Sequence, residues 1–314
     1  MKHLTFIFLF IGIISAESFG QYYSKANAWR KTKHEFVTGI GVGNYLGDLG
    51  GGSGGGRPWL LDLEFSQMKF SWNMGYRLNM SYRLATRLNF AWVKVAGSDQ
   101  LTSNPERLYR NLSFKSNIYE GSILFEYYIF RAKPGHIYHI KGAKGMKGVP
   151  LDVIAFVGVG GFFFNSKADG VKLAKLGTEG QGLEGGEKPY SPVSVSFPFG
   201  FAVNYVYYQN IKIGLDFSYR FSLTDYIDDA STTYYDNDKL RADKGDVTAD
   251  LADKTDGSKP GNSAAGAPRG NPKNKDHFLT VMVNVTYNLS SLKSKNHRPG
   301  GRHSFNKKRK RARF

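Results

Sequence analysis

Three carboxylates, Asp225, Asp228 and Asp229, fall within the run TDYIDD. Acids this close can hold a hard divalent cation through oxygen, but the ordered calcium loop D-x-[DN]-x-[DN]-G-x5-E is absent. The same side chains can cap turns by accepting backbone N–H groups, so the residues leave metal binding open. The seven histidines are scattered and none lies in HExxH. His34, His136, His139 and His277 are candidate partners for a triad assembled in space, yet no serine has a GxSxG setting. The glycine run Gly51–Gly56 lacks the strand–helix context and Lys-Ser/Thr ending of a phosphate cradle. Cysteine is absent, which excludes disulfides and thiolate metal sites. No enzyme activity and no cofactor are expected.

A second set of charges is spaced by two. In Ile211–Ser222, Ile213, Leu215, Phe217, Tyr219 and Phe221 take one face, and Lys212, Asp216, Ser218 and Arg220 take the other. That period is a β-strand. Met68–Leu78 places Lys69 and Arg77 opposite Phe70, Trp72, Met74 and Tyr76. Tyr82–Val95 places Arg87 opposite Leu88, Phe90 and Trp92, and Leu112–Ile129 places Glu120 and Glu126 opposite Tyr119, Ile123, Phe125 and Tyr127. Large apolar side chains on one face and ions on the other, repeated at spanning length, mark a transmembrane β-barrel. Alternation by itself also fits a soluble sandwich. In a barrel, Lys69, Arg77, Arg87 and Arg220 would pair with Glu120, Glu126 and Asp216, because unpaired acids in a dry interior are costly.

Further strands are expected over His34–Tyr45, Leu151–Asn165, Ser191–Tyr208 and His277–Leu289, giving an all-β, antiparallel, eight-stranded transmembrane barrel. Gly39, Gly41 and Gly43 face inward and leave room in a narrow lumen. Pro198 implies an edge, a bulge or a local distortion. Short connections at Asn79–Ser81 and Gln209–Asn210 alternate broadly with long ones, which places both termini in the periplasm and the long loops outside. Lys175–Gln181, in one long loop, is a candidate surface binding segment. In the longest, Asp236–Asp276 is polar and Gly/Pro/Ala-bearing and is expected to lack stable structure.

Residues 1–20 read as a secretory signal peptide, with cleavage after Ala16 or Gly20. The formal charge of +17 is uneven: the last 25 residues hold ten Lys or Arg and no acid. This basic tail, 290–314, is expected in the periplasm, with Lys307, Lys308, Arg309, Lys310 and Arg311 as its partner contact. An exported chain makes nucleic acid a poor partner, and outer-membrane lipid is the expected surroundings.

Several long motifs resemble the PorG-type outer-membrane barrels of the type IX secretion system of Bacteroidetes-like bacteria. They are HEFVTGIGVGNYLGDLGG at His34–Gly51, NPERLYRNLSFKSNIYEGSILFEYY at Asn104–Tyr128, FVGVGGFFFNSKA at Phe156–Ala168, KLGTEGQG at Lys175–Gly182, SFPFGFAVNY at Ser196–Tyr205 and DFSYRFSLTDYIDDASTTYY at Asp216–Tyr235. The resemblance implies a non-enzymatic component that anchors a periplasmic ring-forming lipoprotein and its ring partner, often tied to gliding motility. It marks as loop-motif residues Asn44, Tyr45, Gly47, Asp48, Asn104, Arg107, Arg110, Asn111, Thr224, Asp225, Tyr226, Asp228, Asp229 and Ser231. The alternatives are a small outer-membrane channel and an extracellular ligand-binding or adhesion barrel acting through Leu223–Asp276.

Overall fold

The computed structural model describes residues 25–49, 65–102, 104–132, 150–208 and 210–290. The expected signal peptide, most of the Arg131–Pro150 connection and the tail with Lys307–Arg311 lie outside the described residues.

Eight long strands form: β1 (His34–Leu46), β2 (Lys69–Asn79), β3 (Leu84–Ser98), β4 (Ser113–Phe130), β5 (Leu151–Ala168), β6 (Val193–Tyr208), β7 (Ile211–Ser222) and β8 (His277–Asn288). Each pairs antiparallel with its neighbour in sequence, and β1 pairs with β8, from Glu35↔Asn288 to Leu46↔His277. The result is a closed, eight-stranded antiparallel β-barrel with no free sheet edge along its length. A two-residue strand, Val171–Lys172, folds back on the end of β5. Pro198 sits at a break in the β5–β6 ladder, where pairing jumps from Val157↔Phe199 to Gly160↔Ser196. Proline supplies no N–H to that ladder, which accounts for the gap.

The period-two pattern sets the two faces. Ile40, Leu88, Phe125, Val157, Phe201, Leu215 and Val283 all point outward and are exposed. Among the described residues, no helix is long and apolar enough to cross a membrane. The lumen is too narrow for a large residue everywhere: a side chain at Gly41 would collide with the Val281 carbonyl and lie 2.7 Å from Met282 Cα.

Inside, most of the charge lies in the half near the short turns, while the half near the long loops is largely apolar apart from the Arg220–Glu120 pair. Phe114, Ile118, Phe162, Phe164 and Phe278 pack there with Val93 and Val95. Ile227, Ala230 and Leu251, from the longest loop, join the same cluster. The loops therefore continue the barrel core upward as a packed cap.

Part of that cap corrects the expected lack of structure over Asp236–Asp276. Helices α2 (Asn237–Lys244) and α3 (Asp246–Ala252) form within it. Asp236 caps α2 by accepting from the Asp238 and Lys239 N–H groups. Helices this short are marginal alone. Burial of Leu240, Ala249, Leu251 and Ala252 holds them, a tertiary effect that a polar composition hides.

Candidate functional site

Two polar assemblies are built on this frame. The first fills the lower lumen. Arg77 Nε bonds Glu126 Oε2, Arg77 Nη2 donates to Glu126 Oε1 (3.1 Å), and Nη1 donates to Glu35 Oε2 (3.2 Å). Arg87 reaches Glu126 Oε1 and Asp216 Oδ2, both at 2.9 Å. Lys212 Nζ lies 2.8 Å from both Glu35 Oε1 and Asp152 Oδ2. Higher up, Arg220 Nε donates to Glu120 Oε2 (2.7 Å), Ser196 Oγ to Glu120 Oε1 (2.5 Å) and Arg220 Nη1 to Thr280 Oγ1 (2.6 Å). All of these acids are buried, and each is held by at least one charge-assisted contact from Arg77, Arg87, Lys212 or Arg220.

Of the residues singled out in sequence, Arg77, Arg87, Glu120, Glu126, Asp216 and Arg220 converge here. Lys69 does not: it is half-buried at the loop end of β2, and no ion pair among the described residues includes it. Glu35, Asp152 and Lys212 complete the network without having been singled out. Glu35 and Lys212 were readable, because each shares the inward parity of its strand. Asp152 lies at the start of β5, where alternation is weak.

The second assembly holds the cap. Arg110, at the end of α1 (Pro105–Arg110), clamps Asp99 with two bonds of 2.7 and 2.8 Å and donates to the Asp48 carbonyl at 2.9 Å. Asn104 caps α1 by accepting from Glu106 N–H (2.9 Å), and Asn111 ends it with φ 53°. Arg107 is only half-buried at the surface of α1. Glu179 accepts from Ser231 N–H (2.9 Å), Thr232 N–H (3.2 Å) and Arg269 Nη1 (3.1 Å). Arg269 also donates to the Asp229 carbonyl, while Thr178 and Tyr190 hydroxyls donate to the Asp229 carboxylate. Tyr226 stacks on Tyr190 at 4.3 Å. The Lys175–Gln181 segment, expected as a surface binding stretch, is thus an internal staple: Thr178, Glu179 and Gln181 are buried.

Between these nodes lies an acidic cluster. Tyr45 Oη donates to Asp228 Oδ2 (2.7 Å) and also contacts Asp276 Oδ1. One phenolic proton cannot serve both carboxylates, so the pair is best satisfied when one of them is protonated. Gly47 is required beside them, since a side chain there would strike the Tyr45 hydroxyl and Asp276. Asn44 is buried next to Tyr45 in β1. Thr224 caps the loop start through its hydroxyl, which accepts from Tyr226 N–H (3.3 Å), and Ser231 Oγ donates to Asp225 Oδ2 (2.7 Å). Burial holds Asp228 and Asp276 well above the usual carboxylate range, with Asp48 adding to the first and Asp228 to the second. Burial also pushes Asp225 up to about 7, against the lowering hydrogen bond from Ser231. Among the described residues, no group of three or more His, Asp or Glu side chains is placed to hold a metal ion. These acids accept hydrogen bonds instead.

The raised carboxyls set a pH dependence. The folded cap binds protons that the unfolded chain releases above about pH 4, so cap stability falls as pH rises above about 4, with the Asp225 share lost by about pH 7. Hydrogen exchange over residues 223–276, corrected for intrinsic rates, is expected to be faster at pH 8 than at pH 5. Asp225→Asn should reduce that difference, and faster exchange at pH 5 would contradict the assignment.

An apolar exterior on a closed barrel, with long loops at one end and short turns at the other, defines a small outer-membrane β-barrel protein. No family model matches the chain, and no curated protein matches it. Among solved structures, Neisserial surface protein A (NspA) is similar at 7% identity and a TM-score of 0.39, covering 82% of this chain and 97% of that one. Ail, the attachment invasion locus protein of Yersinia pestis, in complex with the heparin analogue sucrose octasulfate, is similar at 9% identity and a TM-score of 0.35, covering 81% and 96%. These findings correct the expected PorG-type resemblance. No family model matches the chain, and the similar solved structures named above are other outer-membrane proteins, not type IX secretion barrels. The periplasmic ring lipoprotein, its ring partner and the link to gliding motility rested on that resemblance and fall with it.

Proposed function

We propose that this protein is a non-enzymatic outer-membrane barrel that presents its loop cap as an extracellular binding or adhesion surface. The packed cap carries this reading. A chain that only had to span the membrane would not need Glu179, Asp229 and Arg269 buried together 40 or more residues apart in sequence, nor a helix whose Leu251 joins the barrel core. A preorganised surface binds without the entropic cost of ordering its loops. The channel alternative is weakened by the same geometry, because ion pairs and aromatic side chains occupy the lumen from the short turns to the cap.

The test compares a deletion strain complemented with the full chain or with a chain whose 236–276 segment is replaced by a short linker. Attachment of cells to one another and to immobilised polysaccharide is counted. Only the full chain is expected to restore attachment. Full restoration by the capless barrel would overturn the proposal.

A further inference from the structure

The outer wall has one departure from its apolar pattern. Across the outward-facing positions of the eight long strands no Asp or Glu occurs, and the Lys and Arg side chains that do occur are Lys94, Lys115 and Lys167. They lie on three consecutive strands, β3, β4 and β5, at the end that carries the long loops. Lys115 is directly opposite Lys167, and Lys167 is directly opposite Lys172 of the folded-back strand. Directly opposed like charges repel, with β-carbons only about 5 Å apart. None of the ion pairs among the described residues includes any of these four lysines. The nearest acid on the hairpin, Asp169, is taken by Lys254 at 2.6 Å.

The rows beneath the lysines are ordered by polarity. Lys94 is level with Asn117 and Asn165, and its ammonium lies 4.7 Å from the Trp92 ring centre. One step further from the loops come Trp92, Tyr119 and Phe163, in register across the same three strands. Aromatic side chains of this kind sit at the headgroup level of a bilayer. Below them Gly121 faces Gly161, and a β-carbon at either would meet nothing within 4 Å. The two glycines lie in a shallow apolar groove of about 780 Å³ that runs across the wall from Phe36 and Met74 past Phe90 and Ile123 to Val159 and Val195.

We propose that the outer wall of β3–β5 is a binding site for a phosphorylated lipid of the outer leaflet. Its phosphates would sit among Lys94, Lys115, Lys167 and Lys172, within reach of the Asn117 and Asn165 amides, and an acyl chain would lie in the Gly121–Gly161 groove. The phosphate removes the repulsion within the lysine row, and the long-loop end places that row in the leaflet facing outward. The site is independent of what the cap binds.

Native mass spectrometry of the full-length barrel, released from phosphatidylethanolamine nanodiscs containing diphosphoryl lipid A, counts the lipid retained. The wild type is expected to retain diphosphoryl lipid A and to release fully dephosphorylated lipid A. Replacing the four lysines by Gln should lower retention by at least about a hundredfold, since each basic residue near an anionic surface contributes about fivefold. Replacing the exposed cap lysines Lys188, Lys239, Lys259 and Lys273 by Gln, the same change in charge, should leave retention unaltered. Gly121→Ile with Gly161→Val fills the groove in space that is open and keeps every lysine, and it should also reduce retention. Equal retention by the four-lysine variant, or of the dephosphorylated lipid, would overturn the phosphate site. Undiminished retention by the groove variant would overturn the acyl groove.

Discussion

Replacing Arg77 by Ala is expected to destabilise the barrel by about 3–5 kcal/mol, the usual cost of leaving a buried ion pair without one partner. In the lower lumen three cations, Arg77, Arg87 and Lys212, face four carboxylates, Glu35, Glu126, Asp152 and Asp216. Removing Arg77 leaves Glu126 to Arg87 alone and Glu35 to Lys212 alone, with one more uncompensated negative charge in a space closed to water. Arg77→Met combined with Glu126→Gln returns the balance to that of the wild type, so the pair should cost less than the sum of the two single changes. Urea unfolding of the refolded barrel in lipid vesicles, followed by tryptophan fluorescence, measures both. A loss below about 1 kcal/mol for Arg77→Ala would mean the pair is bathed in water, as at an exposed surface.

The second large effect is local. Arg269 is buried and joins Glu179, the Asp229 carbonyl and the Ala252 carbonyl. Arg269→Met strands Glu179 beside Asp229, and about 3 kcal/mol of lost cap stability raises the open population by about a hundredfold. Proteolysis within residues 223–276 should accelerate accordingly, while the barrel itself keeps its compact, heat-modifiable migration on gels. Lys239→Ala is the matched control, because the Lys239–Asp236 pair at 3.9 Å is exposed and contributes little. Simultaneous loss of barrel and cap in Arg269→Met would show that the cap is not a separately opening unit.

Much of the barrel was legible because strand parity is a local property. Ile211–Ser222 reads the same in sequence and in space, and inward Arg77 or Glu120 follows from the residues on either side. Parity tells which face a side chain takes, but not its height in the lumen. That is why Lys69, inward but near the rim, was grouped with Arg77, and why the joining of Lys212 to Asp152 across 60 residues was not visible. The apolar upper lumen follows the same logic: Phe162 and Phe164 break the polar-inside rule because the loop residues Ile227 and Leu251 descend to meet them. The cap itself was least legible. Its anchors, Asp99, Glu179, Arg269 and Asp276, come from three loops, and no periodicity links them. The helices of 237–252 carry so few apolar residues that their composition resembles a linker.

Single-channel recording of the purified protein in planar bilayers tests most directly whether the lumen is sealed beneath a packed cap, the point that separates a binding barrel from a transport one. Sealed by Arg77–Glu126, Arg220–Glu120 and the Phe162–Phe278 core, the barrel is predicted to give no conductance above bare lipid. Reproducible unitary steps, lost when the protein is omitted, would contradict that account and favour the channel.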